Sequence, residues 1–488
     1  MIAIIPKPQY AKILSNNVFN YTEKDVTREV DLSLSKKGEY TLKIDEKGIF
    51  VSAKDDIGFF YADKSIEQLL LQGALPHCEI KDLPKYEYRG FMLDCARHFF
   101  SVETVKKQID MISKFKMNVF HWHLTDDQGW RIQIDKYPLL TEIGSYRAGT
   151  RGDNKPVSGY YTKDEIREIV AYAKERYIDV IPEIDMPGHF SSACASYPHL
   201  SCSGVRPNVK EGFGIHVDVA CAGKESTYEF IKDIIDEVVE LFPCEYVHLG
   251  GDEALRTDWL DCSDCQRTIQ ENGLKDEDEL QAYFMNKIVS YLNSKGKKAI
   301  NWNDGMIAEN VRDDIIIQHW QEGEKSLEAT VRELKKGRTA IISPFFSYYL
   351  DYPYGMTPLK KTFKCNPKIV DEDVNILGVE CPLWTEYVDS EEKLEKQVYP
   401  RLLAVAERGW SEYHNNYKDF DARVKLVSNM FDKYGIKCAR IKDANPTIFT
   451  GKLISLIKFF WNAKDKTLLE SQIRINTNHR RLKEKYGK

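Results

Sequence analysis

The stretch YRGFMLDCARHFFSVETVKKQIDMISKFKMNVFHWHLTD, residues 88–126, sets two short apolar runs on either side of an amphipathic segment. The runs, around GFMLDCA and NVFHWHL, have the aromatic and β-branched content of strands. The segment between them opens at Ser101 and repeats its apolar residues Val105, Ile109 and Ile112 at helical spacing. Strand, helix and strand in that order predict a βαβ unit, and such a unit predicts parallel pairing.

Outward from this unit the alternation continues. DVIPEID, YVHLGG, KAINWND, IIIQHW, TAIISP and NILGVECPLW raise the apolar runs to eight, the strand count of a (β/α)8 barrel. Amphipathic segments separate them. In TKDEIREIVAYAKERY, Thr162 and Glu165 are spaced for a capping box; TYEFIKDIIDEVVELF follows, and SLEATVRELKKG ends on a glycine, as a helix C-terminus does. Before the first run, YTLKI, GIFVSA and the helical DKSIEQLLLQ read as a small α+β unit. The predicted fold is α/β: a (β/α)8 TIM barrel over residues 86–415, preceded by an α+β domain over 1–85 and followed by a short helical appendage over 416–488. The basic tip of that appendage, TNHRRLKEKYGK, reads as a solvated end.

Composition narrows the function classes. The chain of 488 residues is 42% hydrophobic and 30% charged, with both signs mixed and a formal charge of -6. No basic stripe calls for nucleic acid or an anionic membrane, and no apolar run approaches the length of a membrane span. MIAIIPKPQY lacks the basic and apolar regions of a secretory signal, so the expectation is a cytoplasmic chain or one whose leader was trimmed. The odd count of eleven cysteines suggests reduced thiols. Cys262 and Cys265 form a CxxC, but a zinc site needs a second pair at similar spacing and none is evident, so the pair reads as a loop feature. Cys95, Cys194 and Cys202 read as ordinary thiols. No metal and no cofactor is expected.

Chemistry in such a barrel sits at the C-terminal ends of the strands. Asp94 and Arg97 follow the first run; His121, His123, Asp126 and Asp127 the second; Glu183, Asp185 and His189 the third. Asp252 and Glu253 follow the fourth, Trp302 and Asp304 the fifth, His319 and Trp320 the sixth, and Trp384 and Glu386 the eighth. Tyr348, Tyr349 and Asp351 fall after the seventh. A rim of carboxylates and tryptophans suits a sugar, whose C–H faces stack on rings while its hydroxyls take charged hydrogen bonds. In HLGGDE, residues 248–253, two adjacent carboxylates raise a difficulty. Neighbours on a strand face opposite ways, so Asp252 and Glu253 are not the facing acid and nucleophile of an ordinary sugar hydrolase.

In order along the chain, GFMLDCARHFF, NVFHWHLTDDQGWR, PEIDMPGH, HLGGDE, SYYLD and PLWTE resemble glycoside hydrolase family 20, the β-N-acetylhexosaminidases. The N-terminal IIPKP and FFYADKSIEQLL resemble the α+β domain that precedes that family's barrel. The resemblance implies that the 2-acetamido group of the substrate is the nucleophile, which removes the difficulty. It implies Glu253 as general acid, and Asp252 as the group that orients the acetamido N–H, stays ionised and stabilises the oxazolinium. Tyr349 would hold the acetamide oxygen, and Asp351 would help position the acetamido group or Asp252. Asp126 and His189 would form a relay behind the acid. Trp302, Trp320 and Trp384 would wall the pocket, and Arg97 with Glu386 would hold hydroxyls of a terminal sugar. The implied partner is an oligosaccharide or glycoconjugate ending in β-linked N-acetylhexosamine. One departure is Asn303, where the family usually has an acid; no role is assigned to it. His121, His123 and Asp127 read as structural. Two alternatives stay open: a metal-dependent barrel hydrolase built on the HWH motif, and an acetamido-sugar-binding protein without turnover.

Overall fold

Eight parallel strands close on themselves: Tyr88–Asp94, Val119–Asp126, Asp179–Ile184, Tyr246–His248, Lys298–Trp302, Ile316–His319, Thr339–Ile342 and Asn375–Leu383. The computed structural model describes residues 2–20, 25–73, 75–150, 155–447, 451–462 and 467–487. Each strand pairs parallel with the next. Closure runs from Gly378 opposite Tyr88 to Leu383 opposite Leu93. A two-residue strand, Gly129–Trp130, adds antiparallel to the second. The eight expected runs are the eight strands of a TIM-type barrel. Helices cover their outer side while side chains fill the inside, so the first two strands are buried along their whole length.

Local chemistry starts the helices where expected. Ser101 caps Val102–Lys114 by accepting from the Thr104 amide. At Lys163–Lys174 both bonds of the Thr162–Glu165 capping box form. Val105, Ile109 and Ile112 are fully buried against the barrel. Each such side chain contributes about 1.5–3 kcal/mol relative to exposure.

The N-terminal part is a mixed five-stranded sheet: Tyr10–Phe19, Val26–Val30, Tyr40–Asp45, Gly48–Ala53 and Leu75–Asp82. Their spatial order is first, fifth, third, fourth, second. Helix Asp56–Leu70 lays Tyr61, Ala62, Ile66 and Leu69 on it. Trp410, at the end of the barrel helix Arg401–Trp410, completes this small core and donates from Nε1 to Asp82 Oδ1 at 2.8 Å. Asp82 also takes 2.7 Å from the Nζ of Lys116, with both side chains fully buried. Sheet and barrel therefore share one buried polar joint.

Two expectations change. The basic tip is docked: in helix Thr467–Tyr486, Arg481 pairs with Asp261 at 2.6 Å and Lys485 with Glu277 at 2.9 Å. Asn478 accepts from the Arg256 amide at 2.8 Å. Carboxylates already on the barrel draw this end down. The Cys262–Cys265 pair is not a bare loop feature either. Chain folding brings it to Cys202 and Cys221, a second pair too widely spaced to recognise as a motif.

Candidate active site

The fourth strand stops at His248, four residues before Asp252. The backbone then turns through left-handed conformations at Gly250 (φ 65°), Gly251 (φ 100°) and Glu253 (φ 49°). Gly250 is required for space as well as φ, since a Cβ there would stand 1.6 Å from Asp185 Oδ1. Because the two acids follow a turn, strand alternation does not separate them. Both come to His189, whose Nε2 lies 3.6 Å from Asp252 Oδ2 and 3.5 Å from Glu253 Oε2. His189 is itself left-handed at φ 52°, so backbone strain is concentrated at the two points that meet.

Behind His189 the chain of contacts continues. Its Nδ1 donates to Asp126 Oδ1 at 3.1 Å and lies 3.5 Å from Asp127 Oδ2. Asp126 Oδ2 accepts from His123 Nε2 and is paired with Arg97 Nη2, both at 2.8 Å. Arg97 also reaches Asp94 at 3.3 Å and stacks its guanidinium 4.9 Å over Trp384. Asp127 accepts from both the amide and the hydroxyl of Ser191, a structural role.

At the barrel axis, Glu183 gathers four neighbours. Trp302 Nε1 donates to it at 2.8 Å and His123 Nδ1 at 2.5 Å; His121 Nε2 and His248 Nδ1 stand at 3.1 and 2.9 Å. Burial alone would raise Glu183, but His248, His123 and His121 hold it well below the usual range. Its partners come from the second, fourth and fifth strands.

The electrostatics of the cleft are asymmetric. Burial would neutralise His189, yet Asp126 keeps it well above an ordinary histidine, so it is cationic. Asp126 is held far down against its burial by Arg97 and His189. Burial pushes Asp252 well up, and the neighbouring carboxyl of Asp185 adds to the shift because the two resist ionising together. A buried carboxyl beside other carboxyls resists ionisation, so the ionised form expected of Asp252 needs a cation close by, and His189 faces it at 3.6 Å. Burial likewise pushes Asp185 up to about 8 and Asp304 up to about 6. Burial and Glu386 push Asp351 up, and burial keeps Tyr349 a phenol.

Nine of the eleven residues singled out from sequence line one cleft: Arg97, His189, Asp252, Glu253, Trp320, Tyr349, Asp351, Trp384 and Glu386. Asp126 stands behind His189, and Trp302 lies fully buried against Trp384, with ring centroids 5.9 Å apart. Trp320 and Tyr349 stack at 5.9 Å with planes 20° apart. Phe345 and Tyr352 complete the aromatic side and were not singled out. Asp304, named at the rim of the fifth strand, was given no role. It accepts from the Glu253 amide and from Trp320 Nε1, both at 2.9 Å, and so joins the acid to the wall. The signal was its place two residues after Trp302. Asn303, left without a role, accepts from the amides of Trp320 and Gln321 and donates to Gln321 O and Thr330 Oγ1. A carboxylate in that position could not donate.

Among the described residues, Asp252 Oδ1 and Asp351 Oδ1 are buried without a hydrogen-bond partner. Each leaves an acceptor unmatched, which costs about 1–3 kcal/mol until a donor arrives. Stacked rings, an ion-paired arginine and unmatched acceptors can grip a polar ring and act on the bond that leaves it.

Comparison with known proteins finds one family along most of the chain. Residues 86–413 match the family described as glycosyl hydrolase family 20, catalytic domain, and residues 15–83 match glycosyl hydrolase family 20, domain 2. A β-hexosaminidase of Porphyromonas gingivalis is 40% identical over 83% of this chain and 55% of its own length. The chain thus spans about half the length of that relative. The structure of β-N-acetylhexosaminidase from Bacteroides fragilis superposes with a TM-score of 0.80 at 32% identity, covering 92% of this chain and 99% of that one. An exo-β-N-acetylglucosaminidase of Vibrio harveyi, solved with N-acetylglucosamine, gives 0.79 at 28% identity, covering 90% and 78%.

Proposed function

The chain belongs to glycosyl hydrolase family 20, and on that premise we propose that it is an exo-β-N-acetylhexosaminidase that retains anomeric configuration through substrate assistance. The observation that carries the reading is the pair of carboxyls, Asp252 and Glu253, turned together onto one cationic histidine, with Asp252 Oδ1 unmatched.

In this reading the acetamido oxygen attacks the anomeric carbon while Glu253 gives its proton to the leaving glycosidic oxygen. The bond breaks and an oxazolinium forms. Asp252 receives the acetamido N–H at its unmatched oxygen, and the growing positive charge favours its ionised form as the reaction proceeds. Asp252 acts as a carboxylate throughout the step, with the cationic His189 at 3.6 Å supporting that charge from behind. Tyr349, still a phenol, donates to the acetamide oxygen and holds it for attack. Trp320 and Trp384 pack the sugar, with Trp302 supporting Trp384 from below. Arg97 and Glu386 bind hydroxyls of a terminal unit, and Asp351 helps hold the acetamido end. Asp126 and His189 orient the two carboxyls from behind. Water then opens the intermediate with Glu253 as base. The substrate class is a terminal β-linked N-acetylhexosamine on an oligosaccharide or glycoconjugate.

The test is hydrolysis of matched p-nitrophenyl β-glycosides of GlcNAc, GalNAc and glucose, with N-acetylglucosamine thiazoline as inhibitor. Turnover of acetamido sugars alone, blocked by the thiazoline, is expected. Comparable turnover of the glucoside would remove Asp252 and Tyr349 from the proposed roles.

A further inference from the structure

Four sulfurs meet where the loop after the third barrel strand touches the segment that follows Asp252 and Glu253. Cys202 and Cys221 come from that loop, each directly after one residue of its Ser201–Ala220 bridge. Cys262 is the N-cap of helix Ser263–Glu271, and Cys265 lies in its first turn. The four Sγ atoms all lie within 4.8 Å of one another. The Cys202–Cys265, Cys221–Cys262 and Cys221–Cys265 separations are 3.9, 3.8 and 3.7 Å.

These distances fit a single tetrahedral ion. A disulfide needs sulfurs about 2.05 Å apart, so no pair here is bonded. Four sulfurs placed tetrahedrally about 2.3 Å from one ion stand about 3.8 Å from each other. A multinuclear iron–sulfur cluster puts several irons between its cysteines and spreads them farther. The surroundings suit thiolates. The N-terminus of the nine-residue helix faces the CxxC with its free amides. Lys224 Nζ donates to Ser201 O at 2.6 Å and to Cys202 O at 3.4 Å, bringing a cation beside the group. The backbones meet closely: a Cβ on Gly223 would fall 2.2 Å from the carbonyl carbon of Asp264. Trp259 Nε1 donates to Ala220 O at 3.0 Å across the same seam.

We propose that Cys202, Cys221, Cys262 and Cys265 bind one zinc ion as four thiolates, in a closed structural site that fastens the loop after the third strand to the segment leading from Asp252 and Glu253. Loading displaces the thiol protons to solvent, with no change of oxidation state. Four protein ligands leave no open position, so the ion activates no water and its role is mechanical.

The experiment is metal analysis of the full chain purified without added metal or chelator, with thiols counted after denaturation in the absence of reductant. About one zinc per chain is expected, falling below about a tenth in Cys221→Ser and in Cys262→Ser and unchanged in Cys438→Ser. Because the first two variants can fail to fold, the unaltered protein is also exchanged with cobalt(II). Intense thiolate-to-cobalt charge-transfer absorption with tetrahedral ligand-field bands is expected. Metal-free protein with disulfides among the four cysteines would overturn the proposal, and so would stoichiometric iron in place of zinc. Neither outcome depends on glycosidase activity, so this site and the proposed reaction stand or fall separately.

Discussion

His189 faces four carboxyl groups, those of Asp126, Asp127, Asp252 and Glu253. A cation so placed fixes the positions of two acids whose tasks differ, and their variants should differ too. Glu253→Gln is expected to lose about 10²–10⁴-fold in kcat on substrates with poor leaving groups and much less on activated aryl glycosides, which need little protonation. Asp252→Asn should damage both, because it acts on the nucleophile. Steady-state kinetics on paired substrates checks this, and equal losses for Glu253→Gln would refute the acid role. Asp185 gives a prediction in pH. Its folded pKa of about 8 lies above the unfolded value of about 3.9, so the folded state binds the extra proton. The contribution is full below about pH 4 and is lost as pH rises toward 8. Asp185→Asn should therefore flatten the fall in melting temperature between about pH 5 and 8, which calorimetry across that range would detect. An unaltered slope would mean that Asp185 is not the proton holder. At this scale the sequence made the rim readable, because Arg97, Tyr349 and Glu386 lie within recognisable stretches. Asp304 was harder: its bond to the Glu253 amide spans 51 positions and exists only once the fourth and fifth strands are side by side.

The turn after the fourth strand is the element on which the cleft depends. Gly250→Ala puts a methyl group into the carboxylate of Asp185 and asks an L-residue to hold φ 65°. A loss of about 10²-fold or more in turnover is expected, since misplacing a catalytic group by about 1 Å costs that much. A variant with full activity would show that the turn can be rebuilt elsewhere. The strands and capped helices were legible because each is a local pattern: apolar runs end at polar rims, and Ser101 and Thr162 sit directly before helical repeats. The premise that strand alternation separates Asp252 from Glu253 failed for an equally local reason, since it was carried past His248, where the strand has already ended. Cysteine pairing was not legible because Cys221 and Cys262 are 41 positions apart and meet only once the third and fourth barrel strands lie side by side.

Across the whole molecule, the N-terminal sheet and the barrel are held by a joint centred on Asp82, with Trp410, Lys116 and Tyr40 as donors. Trp410→Ala empties a large site in the smaller core and removes one of these bonds, so a cost of about 3–5 kcal/mol is expected. Denaturant unfolding would read it. If sheet and barrel unfold together in the unaltered protein but separate in the variant, the joint is what couples them; a single unchanged transition would count against that. The docked terminal helix shows why overall shape was only partly readable: charges that looked solvated in the chain, Arg481 and Lys485, find acids brought near by other elements. The Glu183 hub works on the same scale. One charge at the axis answers to His121, His123, His248 and Trp302, so no partner can change without leaving the others mismatched. Over evolutionary time such a centre is an epistatic lock. Lineages should cross from one workable set to another only through rare compensated pairs, while the outer helices drift freely around an interior that mutates as a block or not at all.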